Sequence, residues 1–452
     1  MGDWVVTERA GSGRRSRGLS PWREHLRDTF WFAPTAAMVL VFVVWALASE
    51  ADALIVESLR DAHEYDVLDD LVGFAADAKT VVTVVSSAMM TFIGVVFSIS
   101  LVALQMAGGQ FSPRVVRMFV RSRIGKATFA VFLATFLLSL LVLTAFEGER
   151  EPRRVTAVPL VQSVLTLVMV GLSLLLFVMY VNSMLRLMRV SHVIDRIASE
   201  SSRVLVNLPS VNLPSEAAAA DLTPVEEAFG PQTARVAHRG RAGVLRDVRV
   251  RRLVRVARRQ GVVLRLIPRI GDFIVPGTPL FAVHGGAAPS PRALSSVVSV
   301  GVERAFHQDV GFGLRQLADI GLRALSAAVN DPTTAVQAVD RVVQLLAALS
   351  RRSLGPVLHR DRDGAVRLVR AVPDWTELVD LGFAEIRGCA VGTPQVTRRL
   401  LAGFDDLLLL APEGRREPLL RHRDLLARAV ERSVPEPADR AFALQPDRQG
   451  IC

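Results

Sequence analysis

One apolar stretch, residues 81–106, carries a row of small and polar side chains and no charged residue. The row recurs at steps of four, four, three, four and seven: Thr83, Ser87, Thr91, Gly94, Ser98 and Gln105. Steps of three and four place residues on one face of an α-helix. In a membrane helix such a face indicates either close packing between helices or the lining of a wet path through an oligomer. Because the row contains no carboxylate, we do not expect it to relay protons.

Arginines follow this row along the chain. Paired glycines at 108 and 109 and a proline at 113 predict that the helix bends or ends there. Three arginines then recur at helical spacing: Arg114, Arg117 and Arg121. One interpretation is contact with lipid headgroups together with a topological signal. The other is a cationic ring at the mouth of a path, which would favour anions.

A second group of polar residues lies far along the chain, on both sides of a helix predicted at 310–327. It comprises Glu303, Arg304, Asp309, Asn330, Asp331, Thr333 and Thr334. Asn330 and Asp331 favour turns, and Asp331 or its neighbour can cap the next helix, whose first turn suits Pro332. The group is therefore either a structural capping network or an oxygen-rich ligand site that would suit a hard cation. Because no spacing is diagnostic of a metal, we assign no metal ion.

Motifs for familiar enzyme chemistry are absent from the sequence. It contains no Walker A sequence, no GxGxxG after a predicted strand, no HExxH, no GxSxG and no CxxC. Its two cysteines, Cys389 and Cys452, are too few for a disulfide framework or a thiolate metal site. The net charge is +10, but no basic stripe is interleaved with aromatic residues. We therefore expect neither an enzyme nor a nucleic-acid-binding protein, and we assign no cofactor.

The elements that carry these residues follow from composition. The chain has 452 residues, of which 50% are hydrophobic, and a mean hydropathy of +0.34, which is too apolar for an ordinary soluble protein. Four apolar runs are long enough to cross a hydrocarbon core of roughly 30 Å. They cover residues 30–48, 81–106, 127–146 and 158–185. The predicted fold is an α-helical membrane domain of four transmembrane helices at 30–190, followed by a soluble α+β region.

Charges beside the spans predict the orientation. The tail at 1–29 and the loop after the second span are rich in arginine, whereas the loop between the first two spans is acidic. Because Lys and Arg are retained on the cytoplasmic side, both termini and the soluble region are predicted to be cytoplasmic. The expected partners are the lipid bilayer and further copies of the chain.

The soluble region divides into four predicted parts. A helical connector and linker at 191–232 precede a small β-rich module at 233–288, an α/β to helical subdomain at 289–433 and a disordered tail at 434–452. Within the module, GDFIVPGTPL at 271–280 resembles the glycine-punctuated hairpins of barrel-sandwich domains of the biotinyl and lipoyl type. Those carriers hold their cofactor on a lysine, which this segment lacks. A structural or adaptor module is expected instead.

Two sets of motifs resemble one family. FSISLVALQ at 97–105 and QFSPR at 110–114 resemble its membrane signature. FGLRQLADI at 312–320, ALS at 324–326 and NDPTTA at 330–335 resemble its cytoplasmic signature. Together they resemble the bacterial predicted membrane proteins called domain of unknown function 2254, over about residues 25–430. The resemblance implies a four-span protein of the bacterial plasma membrane with a cytoplasmic domain, and it brings no established activity.

The residues favour a homo-oligomeric channel-like or transport protein. In this hypothesis the second membrane helix lines the path, and the cytoplasmic region forms a vestibule or gate. Three features motivate this hypothesis: the uncharged polar row, the glycines that follow it, and the large region joined to the fourth span. The alternative is a membrane-anchored scaffold or sensor that binds a protein or small ligand. Its candidate ligand residues are Glu303, Asp309, Asn330, Asp331 and Thr333.

Overall fold

A computed structural model of the protein describes residues 31–62, 65–110, 122–146, 159–206, 229–304, 309, 311–352 and 354–449. These residues belong to two compact units, which are joined in the chain between Arg189 and Val190. The first unit contains four long helices, and the second contains two β-sheets and further helices.

The first unit confirms the prediction of four candidate membrane spans. Its helices are α1 (Phe32–Asp61), α2 (Tyr65–Gln110), α3 (Arg123–Ala145) and α4 (Leu160–Met188). All four are long and apolar enough to cross a membrane. In α3, 50% of the apolar segment is buried inside the protein, against 17–22% in the other three. Helix α3 is therefore the central helix of this unit and contacts α1, α2 and α4.

Helices α1 and α2 extend well beyond the predicted spans. The sequence predicts an acidic loop at about 49–80, but α1 continues to Asp61 and α2 begins at Tyr65. At 1.5 Å per residue, the 46 residues of α2 measure about 69 Å, more than twice the hydrocarbon core. The loop prediction is wrong because hydropathy marks where a span ends, not where a helix ends. This segment has no proline and is rich in Ala and Leu, which favour helix.

An aromatic cluster joins three of the helices. Phe92 of α2, Phe132 of α3 and Phe177 of α4 have ring centroids between 5.5 and 6.5 Å apart. Rings at this separation attract one another beyond the burial of their surface. Val82 and Leu138, each 1% exposed, extend the same packing toward α1. The inner face of α2 is thus mainly apolar and partly aromatic.

The second unit begins with helix α5 (Val190–Val206) and then forms two sheets. The strands are β1 (Gln232–Ala237), β2 (Gly243–Val248), β3 (Val263–Leu266), β4 (Phe273–Ile274), β5 (Pro279–His284), β6 (Val298–Gly301), β7 (Val357–Arg360) and β8 (Val366–Arg370). One sheet has the order β1-β5-β3-β8-β7, and the other has the order β4-β2-β6. Pairing is antiparallel except between β3 and β8. Helices α6 (Val250–Arg259) and α7 (Pro291–Ser295) connect strands.

The segment 271–280 does not form the predicted hairpin. Its first arm, β4, pairs with β2, whereas its second arm, β5, pairs with β1 and β3 in the other sheet. Gly277, at φ 90°, turns the chain from one sheet to the other, and its N–H donates to the His238 carbonyl at 2.8 Å. The region is mixed α/β, and the barrel-sandwich expectation is not confirmed because the two arms do not pair.

The remaining helices pack into a helical subdomain. They are α8 (Gly311–Ala324), α9 (Pro332–Leu349), α10 (Trp375–Ala390), α11 (Pro394–Leu410), α12 (Glu417–Ser433) and α13 (Pro437–Ala443). Phe383 of α10 and Phe404 of α11 are fully buried, with ring centroids 4.7 Å apart. Helix α8 lies between α5, α9 and α10. The sequence predicted these helices, apart from α13, because their apolar residues recur at helical spacing.

The end of the chain differs from the predicted disordered tail. Ala443 of α13 is fully buried, and the Arg398 guanidinium of α11 lies 4.2 Å from the centroid of the Phe442 ring. Arg398 also donates to the Gln445 carbonyl at 3.0 Å and pairs with Asp447 at 3.3 Å. These contacts order residues 437–447 against α11. The tail was predicted to be disordered because its sequence shows no clear periodicity. Its contacts with Arg398, far away in the chain, could not be read from the local pattern.

Candidate functional site

The polar row of α2 lies on the face that points away from the rest of the first unit. All six residues of the row are exposed: Thr83, Ser87, Thr91, Gly94, Ser98 and Gln105. The opposite face is buried, with Val82 1%, Met89 2% and Val96 fully inside. A helix with 3.6 residues per turn separates these two sets by about half a turn. The structure therefore brings the six predicted residues onto one exposed face of α2.

Three of the four hydroxyl groups of the row, all but that of Ser98, donate to the helix that carries them. Thr83 Oγ1 donates to the Lys79 carbonyl at 2.8 Å, and Ser87 Oγ donates to the Thr83 carbonyl at 3.1 Å. Thr91 Oγ1 lies 3.4 Å from the Ser87 carbonyl. The donors are thus satisfied within α2, while each hydroxyl oxygen keeps lone pairs for an outside donor. Such a face can accept hydrogen bonds from water or from another helix.

The row is flanked by apolar side chains that are also exposed. Val84 and Val102 lie on one side, and Met90 and Phe97 lie on the other; each is at least half exposed. Beside Gly94, no atom lies within 4 Å of an added Cβ position. The outer face of α2 is therefore a narrow polar strip between two apolar borders. This pattern suits contact with a neighbouring α2 along the borders and with water or a partner hydroxyl along the strip.

Polar contacts inside the protomer use other residues, which sequence analysis missed. The Ser100 and Tyr180 hydroxyls bond to each other, and Tyr180 donates to the Val96 carbonyl at 3.2 Å, which ties α2 to α4. Thr135 of α3 and Ser173 of α4 are bonded at 3.0 Å. Tyr180 gave a usable signal, because a tyrosine in the middle of an apolar span needs a partner for its hydroxyl. Among the described residues of the first unit, these polar bonds between helices therefore come from residues outside the row.

Asp52 of α1 caps the start of α4. It is 1% exposed, and its carboxylate accepts from the backbone N–H of Val161 at 2.7 Å and of Gln162 at 3.3 Å. The N-cap residue of α4, Pro159, supplies no side-chain bond, so Asp52 satisfies donors that would otherwise be unpaired. Sequence analysis counted Asp52 only as one charge in an acidic loop, because a cap supplied from another helix leaves no local pattern.

The glycine and arginine predictions after the row have different outcomes. Helix α2 includes Gly108 and Gly109 and is described to Gln110, within the segment where the glycines and Pro113 predict that it bends or ends; Pro113 itself lies outside the described residues. The two glycines therefore lie in the last described turn of α2, where a low helix preference is least costly. The predicted mouth residues Arg114, Arg117 and Arg121 lie outside the described residues.

The second predicted group does not converge on one point. Asp309 precedes the first turn of α8, whereas Asn330 follows its last turn, since the Asn330 N–H donates to the Ser326 carbonyl at 2.9 Å. The 14 residues of α8 separate the two ends by about 20 Å. Glu303 precedes α8, as Asp309 does, whereas Asp331 and Thr333 follow α8, as Asn330 does. The single ligand cluster is therefore divided into two unrelated structures.

Asp309 forms a buried ion pair. Its side chain is 3% exposed, and Arg304 donates to both carboxylate oxygens, at 2.7 and 2.8 Å. Burial raises the pKa of Asp309, whereas the bonds and charge of Arg304 act in the opposite direction. Gly271, at φ 101°, passes so close that an added Cβ would lie 2.6 Å from Asp309 Oδ2. The pair fastens α8 to the turn before β4, which is a structural role.

Asp331 caps α9 as the sequence predicts. Its carboxylate accepts from the Thr334 N–H at 3.0 Å and from the Thr334 hydroxyl at 2.6 Å, and Pro332 occupies the first turn. Asn330 adopts φ 47°, a left-handed conformation that asparagine tolerates better than most residues. Among the described residues, no group of three His, Cys, Asp or Glu side chains is placed to hold a metal ion.

Comparisons with known proteins extend the resemblance noted in the sequence. The chain matches the family described as Predicted membrane protein (DUF2254) over residues 27–406. It is 28% identical over 431 residues to an uncharacterised protein of Mycobacterium bovis and to one of Mycobacterium tuberculosis, covering 93% of this chain and 80% of each relative. No solved structure matches the chain. With four membrane-spanning candidates, both sequence signatures and a family match over most of its length, the chain belongs to the domain of unknown function 2254 family of predicted membrane proteins.

Proposed function

We propose that the protein is a homo-oligomeric, channel-like protein of the bacterial plasma membrane. Helix α2 lines the path, and the C-terminal unit lies in the cytoplasm as a vestibule or gate. The observation that carries this proposal is the outward orientation of the row Thr83–Gln105, opposite the buried face that contains Met89.

The row is poorly suited to face lipid. A lone protomer would present a strip of hydroxyls and one carboxamide to hydrocarbon, where apolar side chains are favoured. Within the described part of the chain, the Ser98 and Gln105 side chains bond to no other residue, so lipid would leave them unpaired. Copies arranged around an axis place the rows together and remove this cost.

The charge pattern supports the orientation. Helices α1 and α2 extend past their apolar segments into a region that carries Glu50, Glu57, Asp61 and Asp77. The tail before α1 and the segment between α2 and α3 are instead rich in arginine. Since arginine is retained in the cytoplasm, the acidic ends of α1 and α2 face outward and the C-terminal unit faces inward.

The test is ion conduction by the purified full chain in planar bilayers. Some variants change the size of a row side chain, and one removes a hydroxyl at constant size. Ser98→Leu and Thr91→Leu add bulk to the row and are expected to abolish conduction. Thr91→Val has the same size but no hydroxyl, and is expected to lower conductance while the oligomer persists. Val178→Leu, on the exposed face of α4, is the control and should conduct normally.

The same variants test whether the row serves only to pack copies together. If the row only packs copies together, the wild-type oligomer does not conduct and the Leu variants dissociate it. Thr91→Val then keeps the wild-type subunit number and is equally silent. Light scattering in detergent gives the subunit number for each variant. A wild-type oligomer that is silent at every salt gradient and voltage would refute the channel.

The scaffold or sensor remains the second candidate, but no observation of the site favours it. Its proposed ligand residues, Glu303 and Asp309 on one side and Asn330, Asp331 and Thr333 on the other, lie at opposite ends of α8. A thermal-shift screen of the full chain against nucleotides and divalent ions tests it. A shift that Thr333→Ala removes, at an exposed position outside the α9 cap, would restore this candidate.

A further inference from the structure

Helix α6 (Val250–Arg259) has one buried face and one face of arginines. Leu253 and Ala257 are fully buried in the core of the β-sheets, and Val250 and Val254 pack partly against the same core. The opposite face carries five exposed arginines: Arg251, Arg252, Arg255, Arg258 and Arg259. At 100° per residue these five lie within about a third of the helix circumference, centred opposite the buried face.

The arginines are largely unpaired. Arg258 lies 3.3 Å from Asp363, an exposed ion pair. In the part of the chain that the structure describes, the other four have no carboxylate partner. Other arginines of the same unit are paired, as Arg315 is with Asp319 and Glu385 at 2.7 Å, whereas α6 places its unpaired arginines together on one face. The outer face of α6 therefore concentrates about four uncompensated charges on a surface about 15 Å long.

The face is presented on a rigid element. Helix α6 packs against β3 and β8, and its C-terminal turn is closed by the Gln260 N–H, which donates to the Ala257 carbonyl at 3.2 Å. Its apolar residues point into the protein and none is aromatic, so α6 has nothing to insert into a bilayer and no ring on which a base can stack. Its outward chemistry is that of guanidinium groups alone.

We propose that the arginine face of α6 docks on the anionic phospholipid headgroups of the membrane that carries the chain. Guanidinium groups bind phosphate oxygens through paired N–H donors, and their positive charge complements an anionic leaflet. The unit that contains α6 is covalently joined to α4 through α5, so the bilayer is present at high effective concentration. Docking of this kind depends on charge and is weakened by salt.

The experiment uses the full chain in lipid nanodiscs of two compositions, phosphatidylcholine alone and phosphatidylcholine mixed with phosphatidylglycerol. A fluorescent probe is attached at Gln260→Cys, next to the arginine face, in a background of Cys389→Ser and Cys452→Ser. Quenching by headgroup-labelled lipid reports contact between α6 and the bilayer. A probe on the native, exposed Cys389 reports the background quenching of the unit.

The result expected is stronger quenching at position 260 with phosphatidylglycerol, reversed by salt. The triple variant Arg251→Gln, Arg255→Gln and Arg259→Gln should lower the docking constant by about 100-fold, since each arginine near an anionic surface contributes roughly a fivefold factor. The matched control, Arg292→Gln, Arg351→Gln and Arg432→Gln, removes three exposed arginines elsewhere and should change it little.

Three outcomes overturn the proposal. They are equal quenching in the two lipid mixtures, equal loss in the two triple variants, and quenching that salt leaves unchanged. Because the salt titration uses the unmodified arginines, it decides the matter even if the triple variant folds poorly. The result is also independent of conduction, since a silent protein can still dock and a conducting protein can still fail to dock.

Discussion

Met89 and Thr91 lie two residues apart on α2 and point to opposite sides of it. Met89 is 2% exposed within the protomer, whereas Thr91 is exposed and its hydroxyl turns back to the Ser87 carbonyl. The helix thus has an inner face that packs within the protomer and an outer face that is free for contacts with water or with another copy. A set of variants can separate the two faces.

The inner face should carry stability. Tyr180→Phe removes the hydroxyl that bonds Ser100 and the Val96 carbonyl, so the free energy of unfolding should fall by about 1 kcal/mol. Ser98→Ala removes a hydroxyl from the outer face and should leave stability within about 0.5 kcal/mol of the wild type. Denaturation of the full chain in detergent measures both. Equal losses in the two variants would contradict the division into faces.

The cap of α4 makes a second prediction. Asp52→Ala leaves the Val161 and Gln162 N–H groups without their acceptor and should destabilise the first unit by about 1–2 kcal/mol. Glu57→Ala, an exposed acid on the same helix, is the matched control and should have little effect. Melting temperatures in detergent compare the two. A wild-type melting temperature in Asp52→Ala would show that water replaces the carboxylate.

The Arg304–Asp309 pair predicts a difference between two glycines. Gly271 and Gly277 both have positive φ, so alanine strains the backbone at either position. At Gly271 the new Cβ would also lie 2.6 Å from Asp309 Oδ2, whereas at Gly277 it meets no atom within 4 Å. Gly271→Ala should therefore lower stability by at least about 1 kcal/mol more than Gly277→Ala, because it disturbs a buried ion pair. Thermal unfolding of the two proteins gives the comparison, and equal losses would mean that the pair moves aside freely.

His359 predicts a pH dependence. Its Nε2 accepts from Arg370 Nε at 3.1 Å, and burial together with the Arg370 charge lowers its pKa to about 3. The unfolded imidazole titrates near 6.5, so between these values the unfolded chain binds the extra proton. The stability that depends on neutral His359 is therefore present above about pH 6.5 and is lost as pH falls toward 3. His359→Gln should reduce the fall in melting temperature between about pH 7.5 and 5, and an unchanged fall would place the loss elsewhere.

The sequence predicted elements well where one periodic pattern determined them. Four apolar runs became four candidate spans, and the steps of three and four in Thr83–Gln105 became one face of α2. The end of α1 and the start of α2 were not predicted, because charged residues end a span without ending a helix. Both strands predicted within 273–283 are present, but the hairpin that the barrel-sandwich resemblance implied is not confirmed, because β4 pairs with β2 and β5 pairs with β1 and β3.

The second candidate site shows the same limit of local patterns. Asp331 was predicted as a cap because all its partners lie within three residues. Asp309 and Asn330 do not meet, because α8 lies between them in the chain and places them at its opposite ends. Asp52 and Tyr180 were missed for a related reason, since each bonds to a helix more than 80 residues away in the chain.

The central claim is that the outer row of α2 lines a water-filled path, and conductance in planar bilayers tests it most directly. The account predicts discrete currents from the full chain, lost in Ser98→Leu and lowered in Thr91→Val at unchanged subunit number. Val178→Leu should conduct like the wild type. Currents that persist unchanged in both row variants would remove α2 from the path, and a silent, folded wild-type oligomer would contradict the channel itself.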